Sequence, residues 1–146
     1  MNKINKILAF LALFIIGCAE KEILPCNTYT LNGIAHSASN KVFHGSCNVF
    51  ISNDSILWKT VTYKRGKLSK EMAYYEDGGI DYIGRRNKAG HIHGDFIKYY
   101  RNGNIELEGQ LNNGFRDGKW EVYNESGVLV EKINYNMGEV IDSETY

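Results

Sequence analysis

Paired histidines, cysteines, alternating carboxylates and a dense set of tyrosines are the residues of this chain that could do chemistry. His91 and His93 would lie on one side of an extended segment, because side chains two apart share a face. Two imidazoles can begin a metal site, but a catalytic zinc needs three protein ligands. Aligned on the internal repeat, the pair falls where Phe115 and Asp117 fall, at ordinary turn positions, so no metal is expected. His36 and His44 flank small-residue loops and are expected in solvent. Cys47 beside His44 suggests a thiol next to a base, but Cys26 and Cys47 can more simply pair with each other. Ser46 lacks the Gly-x-Ser-x-Gly elbow of an activated serine. Asp77, Asp81, Glu106 and Glu108 are residue types that glycoside hydrolysis uses in pairs. At alternating strand positions they are expected to form a solvated face instead. The glycines sit in hairpin turns and no phosphate-cradling loop precedes a helix. No catalytic residue and no cofactor is therefore expected.

Bulk charge narrows the partners. Lysine plus arginine and aspartate plus glutamate both number 17, which leaves no net charge. A nucleic-acid binder needs a clustered positive surface to neutralise phosphates, and no basic tract provides one, so nucleic acid is not an expected partner. Fifteen glycines, ten tyrosines and a single proline, Pro25, suit many short strands and turns better than helices. Altogether 146 residues make room for one domain.

The N-terminus is expected to be an address. Lys3 and Lys6 precede an unbroken apolar run of ten, Ile7 to Ile16. A helix needs about 20 residues to span a bilayer, so the run fits the core of a secretion signal better than a membrane span. It ends in Ile15-Ile16-Gly17-Cys18, which resembles the lipobox of bacterial lipoproteins. The resemblance implies that residues 1–17 are a signal peptide and that Cys18 takes a palmitate-containing lipid anchor. Residues 18–26 would then be the anchor and tether. Cys26 and Cys47 remain as an even pair in an oxidising compartment, and a disulfide between them is expected. Closing that loop of about 21 residues would contribute roughly 3 kcal/mol in the chain-entropy view. The residue after Cys18 is Ala19 rather than aspartate, so by resemblance to proteobacterial sorting the outer membrane is the expected site. Glu20 and Glu22 also resemble surface-export signals, which leaves the periplasmic face or the cell surface open.

The elements that would position all of these residues come from a repeat. Gly94 matches Gly118, Phe96 matches Trp120, Tyr99 matches Tyr123, Gly103 matches Gly127, and Gly114 matches Gly138, each 24 residues on. Gly66 and Gly90 extend the series backward, and Ile80–Gly84 mirrors Ile105–Gly109 with one residue of slip. A fixed period of this size marks an array of supersecondary units. Within a unit, Ile105, Leu107, Gly109 and Leu111 alternate with Glu106 and Glu108, the period of a strand with two unlike faces. Asn102-Gly103, Asn112-Asn113-Gly114 and Ser126-Gly127 are turn sequences. Each unit should be a hairpin, and the whole an elongated all-β antiparallel meander of about four hairpins over residues 45–141. Residues 27–44, with an Asn32-Gly33 turn, are expected to be an N-terminal cap, and residues 142–146 a C-terminal tail.

Tyr82-Ile83-Gly84, His93-Gly94 and the run Glu108 to Trp120 resemble the MORN repeat. They resemble more closely its bacterial, antitoxin-like variant. The resemblance covers about residues 45 to 141 and implies a non-enzymatic module in which a sheet face holds a protein partner, such as a toxin. Tyr75, Tyr82, Tyr99, Tyr100 and Tyr123 recur at strand positions, so cross-strand stacking is expected. Such tyrosines either form the core of a thin sheet or, on an open face, bind a protein. A glycan or peptidoglycan is the alternative ligand.

Overall fold

The computed structural model describes residues 28–31, 34–37, 39–51 and 56–146. The expected signal peptide, Cys18, Cys26 and the Asn32-Gly33 turn lie outside them. A small hairpin of β1 (Thr28–Leu31) and β2 (Ile34–Ser37) precedes a nine-stranded antiparallel sheet. The sheet consists of β3 (Gly45–Ile51), β4 (Ile56–Lys64), β5 (Lys67–Tyr74), β6 (Ile80–Arg86), β7 (Ile92–Tyr99), β8 (Ile105–Asn112), β9 (Phe115–Tyr123), β10 (Leu129–Asn136) and β11 (Glu139–Thr145). Within the large sheet spatial order follows chain order, so consecutive strands pair directly. The all-β meander expected from the repeat is the observed architecture. One boundary differs: residues 142–145, expected as a tail, are strand, because Glu144 and Asp142 continue the pairing of β11 with Lys132 and Asn134 of β10.

Two kinds of turn alternate along the sheet. On one edge, Arg65-Gly66, Asn113-Gly114 and Met137-Gly138 each place two successive residues at positive φ. Those are type I′ turns, whose twist matches the strands they join. These turns also bond to each other's repeats: the Gly114 and Gly138 N–H groups donate to the carbonyls of Ile92 and Arg116 at 2.8 and 2.7 Å. Gly66 donates in the same way to Phe43 and accepts from Ala35, both at 2.7 Å. Ala35 and Phe43 thus dock on the first turn as a preceding repeat would.

On the other edge, Tyr75–Gly79, Tyr100–Asn104 and Asn124–Val128 are five-residue turns closed by one shared pair of backbone bonds. Asn87–His91 adopts this longer form between β6 and β7, where a two-residue turn would continue the pattern. That repeat accordingly has one residue more than the next, which accounts for the slip at Ile80–Gly84. Every adjacent strand pair in the large sheet also carries a register shift. Bulges of this kind bend a strand and increase its twist.

Among the described residues the large sheet has no second layer, so the core lies along one face. Cys47, Val61, Glu71, Gly84, Phe96 and Gly109 form a row of direct cross-strand partners from β3 to β8. Trp120 closes the row against Gly109 and is 1 % exposed. Cys47 is buried and disulfide-bonded.

Candidate interaction surface

The buried face holds one continuous aromatic series. Tyr82 stacks on Phe96 at 5.5 Å, Phe96 meets Trp120 at 6.1 Å, and Trp120 meets Tyr135 edge-on at 6.2 Å. Trp120 donates its indole N–H to the Gln110 carbonyl at 3.0 Å. The Arg116 guanidinium lies 4.7 Å from the Trp120 ring and donates to the Tyr135 hydroxyl at 2.8 Å. A cation over an indole face is attracted by the ring's quadrupole, so Arg116 closes the series from above.

At the β4–β6 end the same face buries a carboxylate. Glu71 is 1 % exposed. It accepts from Arg86 Nη2 at 2.7 Å and from the Tyr82 hydroxyl at 2.9 Å, and Lys59 stands 3.8 Å away. Burial pushes the Glu71 pKa up, but the bonds from Arg86 and Tyr82 and the two cationic charges outweigh it and leave it below the ordinary carboxylate value. Tyr82 responds in the opposite direction: burial and its bond to Glu71 raise it to about 12. The cluster is a charged structural core, with a carboxylate held ionised by two cations and a phenol.

The tyrosines singled out from sequence do not converge on one patch. Tyr75 and Tyr100 act as clasps between repeats, donating to the backbone carbonyls of Tyr99 and Tyr123 at 2.6 and 2.8 Å. Tyr82 belongs to the buried series. Tyr123 points its hydroxyl to the opposite face, 3.0 Å from Glu108 and 2.8 Å from Glu121. The bond to Glu121, then burial, then the bond to Glu108 hold the phenol well above its usual range. Tyr99 is half-buried at the end of β7. Glu106 is the extra residue at a register shift opposite Lys98 and Tyr99, and its carboxylate reaches Lys98 Nζ at 2.7 Å. His91 and His93 are exposed, and among the described residues no three His, Cys, Asp or Glu are grouped to hold a metal ion.

Charge distribution is the feature that a residue-by-residue search for chemistry misses. Residues 39–91 carry nine Lys or Arg against five Asp or Glu, and residues 92–146 carry five against ten. Because spatial order follows chain order, the neutral total separates into a basic and an acidic half of the sheet. At the basic half, Lys64, Arg65, Lys67, Arg86 and Lys88 line a shallow cavity of about 420 Å³. At the acidic half, Glu108 and Glu121 are direct cross-strand partners, and Glu121 has Lys132 at 3.6 Å. The signal for this separation is the charge count divided at His91, which the whole-chain total of zero conceals.

Two adjacent stretches of the chain, residues 92–113 and 116–137, match the family model described as the MORN repeat variant. The first spans β7 and β8, the second β9 and β10, so each match is one hairpin of the meander. No curated protein and no solved structure matches the chain.

Proposed function

We propose that this chain is a non-enzymatic lipoprotein of the bacterial envelope whose repeat sheet holds a protein partner in an antitoxin- or immunity-like manner. Lipid on Cys18 would anchor it at the outer membrane, and a Cys26–Cys47 disulfide would tie the tether to β3. The repeat matches support an interaction module, since arrays of this kind present extended surfaces. The separation of charge along the sheet carries the choice of ligand. An extended dipolar surface complements a protein of opposite polarity and steers its approach. A neutral glycan would need open aromatic platforms, whereas Tyr75, Tyr82 and Tyr100 are engaged within the sheet itself.

The test uses the full chain. Labelling with an alkyne-bearing fatty acid should modify the wild-type protein and not Cys18→Ala. Affinity capture from envelope extracts should retain one protein in stoichiometric amount, and raising salt should release it. Retention of cell-wall fragments instead of a protein would overturn this reading in favour of the glycan one.

A further inference from the structure

The last strand is an unfinished interface. Among the described residues β11 is bonded on one side only, to β10, and every one of its seven residues is exposed. It ends the aromatic series, because Val140 is the cross-strand partner of Tyr135 and no described strand continues the row beyond it. Val140, Ile141 and Tyr146 are 59, 61 and 60 % exposed. Soluble edge strands are blunted by shortness, by charged side chains, lysine above all, by proline or by a bulge. Glu139–Thr145 has no lysine or proline; its protection is three carboxylates and the unpaired Ile141, and the carboxylates repel an acidic edge but attract a basic one. Between β4 and β5, β6 and β7, β7 and β8, and β9 and β10 a cation meets a carboxylate, in Lys59–Glu71, Arg85–Asp95, Lys98–Glu106 and Lys132–Glu121. Glu139 and Asp142 make no ion pair among the described residues.

We infer that β11 is the docking edge for an extended, basic segment of a partner protein, which adds to the sheet as a tenth antiparallel strand. The inference deepens the interaction-module reading and rests on it. Backbone pairing would supply affinity, and side chains at alternate positions would supply selectivity. Glu144 and Asp142 are two residues apart, so they select lysine or arginine two apart on the incoming strand. Val140 and Ile141 select an apolar or aromatic residue next to that pair. A second copy of the chain fits poorly. Full-length antiparallel self-pairing of Glu139–Thr145 sets Asp142 against Asp142, and like charges directly opposite destabilise a strand pair. The other edge, β3, is less exposed, with Cys47 buried and four of its seven residues half-buried.

The probe is the peptide Thr-Lys-Thr-Lys-Val-Tyr-Thr, with a Glu-for-Lys version as control, titrated onto the full chain. The lysine peptide should bind and slow amide exchange along β11 while leaving β5–β8 unchanged. Asp142→Lys with Glu144→Lys, both at exposed positions, should weaken the lysine peptide roughly tenfold and favour the glutamate peptide. Absence of binding at millimolar peptide would overturn the inference. Binding without slowed β11 exchange, or a chain dimer abolished by the charge swap, would do the same. A captured native partner that is indifferent to the swap leaves the interaction module standing and moves its contact elsewhere. Capture of no partner with intact peptide binding fails the broader reading alone.

Discussion

Gly109→Ala opposes two physical effects of known size. Gly109 is in the middle of β8 at ordinary extended φ, where alanine would normally gain about 0.5–1 kcal/mol through lower backbone entropy in the unfolded chain. Space says the opposite. A Cβ there would lie 2.4 Å from Trp120 Cδ2 and 2.6 Å from Cε2 and Cγ. Ordinary carbon contacts need about 3.5 Å or more, so the indole must retreat by about 1 Å. It has no slack: Trp120 is almost fully buried, bonded to the Gln110 carbonyl, and enclosed by Phe96, Tyr135 and Arg116. Overpacking costs about 1–3 kcal/mol, and loss of the indole hydrogen bond adds about 1 kcal/mol. The net expectation is destabilisation of about 2–3 kcal/mol, measured by urea unfolding at constant m-value. Gly84→Ala is the internal comparison. Its nearest contacts, Ile92 Cγ2 and Phe96 Cδ2, are at 3.4 Å, so its effect should stay within about 1 kcal/mol of zero. Placing Gly109→Ala in a Trp120→Leu background should remove most of the penalty, a coupling of about 2 kcal/mol. A cost below about 1 kcal/mol for Gly109→Ala, or an equal cost with and without the indole, would rule out the clash with Trp120.

Three further outcomes are expected. The Glu71 carboxylate titrates lower when folded, so its stabilisation is complete above the ordinary value of 4.5 and is lost as pH falls below it. Urea midpoints should drop through that acid range, and Glu71→Gln should flatten the drop while costing about 2 kcal/mol at neutral pH by uncoupling the half-buried Arg86. Arg65 occupies the first position of a type I′ turn at φ 51°, so Arg65→Asn should raise stability by about 0.5–1 kcal/mol in thermal melts. Gly114→Val meets no neighbour but must hold φ 93°, so strain alone should cost about 1–3 kcal/mol; an unchanged melting temperature would mean that the turn is wrongly described.

The sequence by itself determined the element list. Period-two alternation, turn glycines and a 24-residue offset specify strands, hairpins and their linear order, because each is a local property or a repetition of one. Tertiary structure decided which side chains meet. Alternation says that Trp120 and Val122 share a face, but only the register of β8 against β9 places the indole on Gly109. Register shifts then redirect particular residues: Glu106 alternates with Leu107 in sequence, yet the shift at Lys98–Tyr99 brings it to Lys98. Glu71 looks like a solvated strand carboxylate until Arg86, Tyr82 and Lys59 arrive from two other strands and bury it. Tyrosines whose spacing allowed either one core ladder or one open face are divided among clasps, core and opposite face, since a hydroxyl's partner lies on a neighbouring repeat. The charge separation needed both: the residues hold it in linear order, and the crossover-free meander keeps it apart in space. The exposed β11 edge belongs to the structure alone, because a strand's pattern does not say whether its second side has a partner.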